Sequence, residues 1–177
     1  MRKTVLAAAL LGVGLLPSLA QEAPGGRRGT GLPVPRYVSL KTDRVNLREG
    51  PSKDHRTAWV YQRAGLPVEI VAEYETWRRI RDSEGTEGWV LHSLLSGRRT
   101  ALVMPWAKPQ TPPLLLLAAA EDKSDTVARL EPGVVVSVQS CASGWCRAHV
   151  VIEGGRDVGG FIRQDKLWGV YPDEKVE

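Results

Sequence analysis

The hydrophobic residues of this chain occur in short runs broken by polar residues, a pattern that predicts β-strands. Val68-Glu69-Ile70-Val71-Ala72 places an apolar side chain at every second position, and Val45-Asn46-Leu47 has the same alternation. Trp77-Arg78-Arg79-Ile80-Arg81-Asp82 predicts a further strand, and Gly85-Thr86-Glu87-Gly88 a turn before the next one. The sequence has no long helical periodicity. Short strands separated by turns are typical of a small all-β barrel or sandwich.

The strand pattern occurs twice along the chain. The matching features are Gly65 with Gly133, Trp77 with Trp145, and Gly88-Trp89-Val90 with Gly160-Phe161-Ile162. The first two pairs are 68 positions apart and the third is 72 apart, so the second copy has four more residues between Val150 and Gly159. Loops tolerate such insertions better than strands do. A repeat of about 70 residues is the size of a small barrel domain rather than of a solenoid unit.

Proline and glycine mark the segments outside the two copies. Residues 21–35 are rich in both and predict a flexible linker. The proline-dense stretch from Pro105 to Pro113 would interrupt a strand, so we place the boundary between the copies there. The predicted organisation is a first domain at 36–105, a second at 113–172 and a C-terminal tail at 173–177.

The N-terminus predicts export. Met1-Arg2-Lys3-Thr4 is basic, the run from Val5 to Leu16 is apolar, and small residues stand at Ser18 and Ala20. This is the pattern of a signal peptide at residues 1–20 with cleavage before Gln21, and an uncleaved anchor is the alternative. The apolar run is shorter than the about 20 residues that a membrane-spanning helix needs. We therefore predict a periplasmic or secreted protein without an integral membrane span after cleavage.

The charge of the mature protein is small. Loss of Arg2 and Lys3 with the signal peptide lowers the formal net charge from +4 to +2. A nucleic-acid-binding protein would show a basic stripe interleaved with aromatic residues, and neither the sequence nor the expected compartment favours one. Nucleic acid is therefore not an expected partner.

One segment resembles a known family. Val45-Asn46-Leu47-Arg48-Glu49-Gly50-Pro51-Ser52 resembles the N-L-R-x-G-P-S motif with which bacterial SH3-like (SH3b) domains begin. Trp77 and Gly88-Trp89 fit the same family pattern at suitable distances, and the second copy has lost the first motif. The ending Leu167-Trp168-Gly169-Val170-Tyr171-Pro172 resembles an exported alphaproteobacterial subgroup with tandem SH3-like domains. The family-motif residues, mainly structural in role, are Asn46, Leu47, Arg48, Gly50, Pro51, Trp77, Gly88 and Trp89.

The resemblance implies two tandem SH3-like small β-barrels, the second of them degenerate, and a binding role. Such barrels usually present a groove lined by aromatic and polar residues. Trp59 and Tyr61 follow the long loop that begins at Gly50, and residues two apart in a strand face the same side. An exposed Trp/Tyr pair would stack on a sugar ring or a proline-rich peptide. The alternative is that this face is the barrel interior or the interface between the barrels.

Cys141 and Cys146 are the only cysteines and lie near the predicted mouth of a hairpin. Side chains on adjoining strands there would meet at disulfide distance, and an oxidising compartment favours the bond. A zinc site formed with His149 and a redox pair are the alternatives. The spacing is that of neither a familiar zinc motif nor a C-x-x-C motif. When the two copies are aligned on Trp77 and Trp145, the corresponding positions of the first copy are Glu73 and Arg78, a candidate cross-strand charge pair.

We expect no enzyme activity and no cofactor or metal. SH3-like modules often accompany cell-wall peptidases with a Cys–His pair, but here the three histidines His55, His92 and His149 lie in dissimilar contexts. No G-x-S-x-G or H-E-x-x-H motif occurs. The function hypothesis is a non-enzymatic envelope binding module that recognises peptidoglycan or a wall-associated partner. The alternative is an interaction or scaffold subunit that binds a peptide in the periplasm.

Overall fold

The computed structural model describes residues 29–152 and 154–176, which fold into strands, turns and two short 3₁₀ turns. The predicted signal peptide at 1–20 lies outside the described residues, as does the linker as far as residue 28. No helix in the described part of the chain is long and apolar enough to cross a membrane.

The first copy forms a seven-stranded antiparallel sheet. Its strands are β1 (Arg36–Leu40), β2 (Val45–Arg48), β3 (Thr57–Tyr61), β4 (Pro67–Tyr74), β5 (Trp77–Arg81), β6 (Glu87–Leu91) and β7 (Leu95–Ser96). They lie in the order β3-β2-β6-β5-β4-β1-β7. The 3₁₀ turn His92–Leu94 joins β6 to β7.

The second copy repeats this arrangement. Its strands are β8 (Thr100–Val103), β9 (Leu114–Leu117), β10 (Thr126–Leu130), β11 (Val135–Ala142), β12 (Trp145–Val151), β13 (Asp157–Arg163) and β14 (Leu167–Trp168). The order β10-β9-β13-β12-β11-β8-β14 equals that of the first sheet, strand for strand. The predicted all-β fold of two tandem SH3-like barrels is confirmed.

The boundary between the copies differs from the one predicted. β8 was assigned to the first domain at 36–105, but it pairs with β11 and β14 and is the counterpart of β1. The proline-dense stretch therefore connects two strands of the second barrel. Proline density marks where a strand must stop, but it carries no information about which sheet the preceding strand joins.

The predicted C-terminal tail is also part of the second barrel. Val176 is buried and pairs with Cys141 of β11. Arg99 donates hydrogen bonds to Glu174 at 2.8 and 2.9 Å, and the Gln164 amide donates to the carbonyl of Tyr171 at 2.7 Å. These contacts hold the last residues against the sheet.

Each barrel encloses its own apolar core, and a glycine lets two strands cross tightly in each. Leu47 of β2 and Leu116 of β9 are fully buried at corresponding positions. A Cβ atom at Gly88 would lie 2.6 Å from Leu47 Cγ, and one at Gly160 would lie 2.6 Å from the carbonyl oxygen of Leu117. The repeated glycine before Trp89 and Phe161 is therefore required by packing.

Candidate functional site

The family-motif residues of β2 and the following loop are structural. Leu47 belongs to the core, and Nη1 of Arg48 donates to the carbonyl oxygens of Lys53 and His55 at 2.9 and 2.7 Å. A Cβ atom at Gly50 would collide with the imidazole of His55, so a larger residue there would require that exposed ring to move. Pro51 follows half-buried at the start of the loop. These residues hold the loop between β2 and β3 in one shape.

The two motif tryptophans have different environments. Trp77 is almost completely buried, yet one face of it lines a groove together with Asn46. Trp89 is half-buried and meets the edge of the Tyr74 ring, with ring centroids 6.5 Å apart. Gly88, which precedes Trp89, lets β6 lie close to Leu47 of β2.

Trp59 and Tyr61 line one cleft, but they are not the exposed pair that the sequence predicted. Trp59 is 59% exposed, whereas Tyr61 is 7% exposed and belongs to the first core with Val45 and Val68. The Tyr61 hydroxyl donates to Oδ2 of Asp82 at 2.9 Å. Burial, and then the charge of Asp82, raise the pKa of Tyr61 far above its ordinary value. Tyr61 is thus a core residue of the first barrel, and Trp59 is the exposed member of the pair.

The cleft beside Trp59 lies between the two barrels and has a volume of about 530 Å³. The first barrel contributes charged and aromatic residues to it, and the second contributes mainly apolar residues. Its lining includes Trp59, Arg63, Asp82, Glu84, Pro105 and Pro132. Oδ1 of Asp82 also accepts hydrogen bonds from the backbone N–H groups of Glu84 and Thr86 at 3.0 and 2.8 Å. These bonds fix the turn that forms the first barrel's side of the cleft.

A second, smaller groove of about 260 Å³ lies within the first barrel. Trp77, Leu91 and Leu94 are its apolar residues, and Asn46 is its neutral polar residue. Arg44, Arg48 and Lys53 give it three positive charges. Sequence reasoning did not identify Arg44 and Lys53, because each lies alone in a polar stretch and the fold brings them to one groove.

The disulfide is confirmed. Cys141 and Cys146 are directly opposite on β11 and β12, with a Cα–Cα distance of 4.0 Å and an S–S distance of 2.00 Å. Both sulfurs are engaged in this bond, so neither is a thiolate ligand for zinc. No group of three or more possible metal ligands occurs in residues 29–152 and 154–176.

The first barrel has an ion pair where the second has the disulfide. Glu73 and Arg78 are opposite each other on β4 and β5, as their alignment with the cysteines predicted. Nε of Arg78 lies 3.2 Å from Oε1 of Glu73. Burial opposes ionisation of Glu73, but hydrogen bonds from Arg36 and Thr30 and the charge of Arg78 outweigh it and lower its pKa to about 2. The same cross-strand position is therefore bridged by an ion pair in the first barrel and by a disulfide in the second.

The sequence pattern does not indicate which charged residues are buried at the contact between the barrels. Glu69 of β4 is only 3% exposed, and it accepts hydrogen bonds from Arg81 at 2.9 Å and from Tyr171 at 2.8 Å. Tyr37 packs against Trp168 and Tyr171, with centroids 5.1 and 4.7 Å apart. A glutamate in an alternating strand is normally solvated, and no local signal distinguishes this one.

Three solved structures have a distant likeness to this chain. NlpC2 and NlpC1 from Trichomonas vaginalis each share 13% identity, cover 76% and 78% of this chain and have a TM-score of 0.33. An NlpC/P60 family protein from Bacillus cereus ATCC 10987 shares 12% identity over 75% of the chain, with a TM-score of 0.32. The chain covers 48%, 47% and 55% of these structures, about half their length. No curated protein matches the chain.

A sequence profile settles the family. The profile described as "Bacterial SH3 domain" matches residues 41–97 and again 110–169. The two matches cover more than half of the chain, and each lies within one of the two barrels. The chain therefore belongs to the bacterial SH3 domain family and carries two copies of the domain.

Proposed function

We propose that this protein is a non-enzymatic binding module of the cell envelope that recognises peptidoglycan through the cleft beside Trp59. Its family consists of binding domains rather than catalytic ones, which supports a binding role. The N-terminal pattern of residues 1–20 supports export to the compartment where the cell wall lies.

The observation that carries the proposal is the position of Trp59. An indole that is 59% exposed at the edge of a cleft presents a large apolar face to solvent, and stacking of an apolar sugar face on it removes that surface from water. Asp82, Glu84 and Arg63 line the same cleft and provide acceptors and donors for sugar hydroxyls and amides. A cleft with one aromatic platform and a few polar groups has the composition of a small-ligand site.

Co-sedimentation with purified peptidoglycan over a series of salt concentrations tests the proposal. We expect the protein to pellet with the wall even at high salt, because stacking is less sensitive to salt than charge attraction. Trp59→Ala should abolish pelleting, whereas Trp106→Ala, which removes a similarly exposed indole outside this cleft, should not.

Equal pelleting of wild type and Trp59→Ala would contradict the assignment of this cleft. Tyr61 is unsuitable for truncation because it belongs to the core, so loss of binding in a Tyr61→Ala variant would not separate binding from folding.

A second candidate is a scaffold subunit that binds a peptide in the periplasm. The observation that favours it is the apolar wall of the same cleft, to which Pro105 and Pro132 contribute. A photo-crosslinking amino acid at position 59 distinguishes the two candidates in intact cells. Crosslinks to a protein, together with no pelleting at any salt, would favour the scaffold role.

A further inference from the structure

The two barrels have corresponding grooves that differ in charge. Arg48 pairs with Trp89 in the first sheet and Leu117 pairs with Phe161 in the second, which aligns β2 with β9. The loops 49–56 and 118–125 that follow these strands are equally long, so the alignment extends through them to Lys53 and Asp122. Each groove has a buried tryptophan, Trp77 in the first barrel and Trp145 in the second.

The groove of the first barrel holds cations without a counter-ion. Arg44 and Lys53 are exposed, and neither side chain has a hydrogen bond or ion pair with a residue that the structure describes. The acids of the neighbouring loop do not neutralise them. Glu49 is ion-paired with Arg56, and Asp54 lies within hydrogen-bond distance of Ser52, at 3.4 Å. The groove therefore carries positive charge that an anionic ligand would neutralise.

The groove is also small and apolar on one side. Its volume is about 260 Å³, and Trp77, Leu91 and Leu94 line it beside the cations. A group with a negative end and a short aliphatic portion matches this arrangement. Inorganic phosphate would satisfy the cations but would leave the apolar residues without a contact.

In the second barrel the corresponding groove has a similar volume, about 280 Å³, but does not have the charge that such a ligand needs. The positions of Arg48 and Lys53 are taken by Leu117 and Asp122, and Arg163 also lines this groove, so its lining has one negative and one positive charge instead of three positive charges. Arg163 lies over the Trp145 ring at 4.3 Å from its centroid and donates to Asp122 at 3.0 Å. One face of the Trp145 ring is thus occupied by a side chain of the protein itself.

We propose that the groove over Trp77 binds a carboxylate-terminated peptide with a small aliphatic last residue, and that only the first barrel does so. The carboxylate lies among Arg44, Lys53 and Arg48, where charge-assisted hydrogen bonds are strong. The aliphatic side chain lies against Trp77, Leu91 and Leu94. Arg48 remains bound to the loop carbonyls through Nη1 and orients the site. This site is separate from the Trp59 cleft and does not depend on the function proposed for it.

Isothermal titration of the purified protein with N-acetylalanylalanine, its C-terminal amide and inorganic phosphate tests the inference. We expect the free acid to bind at least about tenfold more tightly than the amide, since one charge-assisted contact is worth roughly that factor. The acid should also bind more tightly than phosphate, and its affinity should fall as salt is added.

The decisive variant is Arg44→Gln/Lys53→Gln, with Lys123→Gln/Arg129→Gln as a control that removes the same charge from exposed positions of the second barrel. The first variant should weaken binding of the acid about tenfold or more. The control should stay within about twofold of wild type, because salt screens distant charges. The indole N–H resonance of Trp77, assigned with Trp77→Phe, should shift with the acid.

The inference would be overturned by equal affinity for acid and amide, by an equal loss of affinity in both variants, or by no heat or resonance shift at millimolar peptide. Phosphate binding as tight as that of the peptide would refute the peptide carboxylate as the ligand. Because neither changed side chain has a partner in the described structure, thermal unfolding should verify that both variants are folded before titration.

Discussion

The hydroxyl of Tyr171 donates a hydrogen bond to Oε1 of Glu69 at 2.8 Å, joining the C-terminal segment to the long strand of the first barrel. Glu69 is buried, and its other oxygen accepts from Arg81. Burial and then the bond to Glu69 raise the pKa of Tyr171 well above its ordinary value. The contact between the barrels is therefore a buried polar arrangement beside the ring of Tyr37.

Tyr171→Phe should weaken this contact while leaving both cores intact. The change removes a donor from a buried carboxylate, which costs about 1–3 kcal/mol of unfolding free energy. Urea denaturation measures the loss, and hydrogen exchange should show faster opening at β1 and β14. Tyr74→Phe is the matched control, because Tyr74 is exposed and does not touch Glu69. Equal effects of the two changes would argue against a specific Tyr171–Glu69 bond.

Acid should destabilise the first barrel through Glu73. Its pKa is lowered from 4.5 to about 2 in the folded protein, so its contribution to stability is fully present above pH about 4.5. That contribution is lost as the pH falls through about 2, when the folded carboxylate takes up a proton. Glu73→Gln should lower stability at pH 7 and make it less dependent on pH between 4.5 and 2. Chemical denaturation at several pH values measures both effects.

Glu87→Gln is the control for that experiment. Glu87 also pairs with an arginine, Arg79, but this pair is more exposed, with side chains 32% and 49% accessible. Solvent-exposed pairs contribute little, so this variant should keep the acid dependence of the wild type. An unchanged acid profile in Glu73→Gln would contradict the role given to Glu73.

Removal of the disulfide should destabilise the second barrel. Cys141→Ser/Cys146→Ser should cost about 2 kcal/mol in the chain-entropy model, since the bond closes a short loop. Denaturation with and without reductant measures this in the wild type, and reductant should not affect the variant. Two thiols that react freely in the non-reduced protein would show that the bond is absent.

Export should remove residues 1–20. When the full chain is expressed in a bacterium with two membranes, we expect the mature protein in the periplasmic fraction with Gln21 at its N-terminus. Intact-mass measurement detects the cleavage, and Ala20→Arg should block it because signal peptidase requires a small residue there. A protein that keeps Met1 in the membrane fraction would instead support an uncleaved anchor.

The equivalence of Arg36 and Arg99 explains why the C-terminal segment is attached. Arg36 lies opposite Ile70, and Arg99 occupies the same place opposite Val138. In the first barrel Arg36 pairs with Glu73 of its own sheet. In the second barrel that position is Cys141, and Arg99 pairs with Glu174 of the C-terminal segment instead. The segment supplies a carboxylate partner for Arg99, since the position equivalent to Glu73 is a cysteine in the second barrel.

The sequence by itself determined the repeated pattern of strands, the family motif and the hairpin that places Cys141 close to Cys146. These depend on local alternation, on glycines that packing requires and on spacing between neighbouring strands, all of which are written in consecutive residues. The same information predicted the Glu73–Arg78 pair, because cross-strand neighbours follow from hairpin register.

Only the tertiary structure decided which sheet Thr100–Val103 joins, that Tyr61 is buried while Trp59 is exposed, and that Glu69 meets Tyr171. Each depends on residues far apart in the chain, and alternation assigns a side chain to a face without saying what covers that face. The burial of a polar group is set by the partner that folding brings to it, and that partner lies outside any local window of sequence.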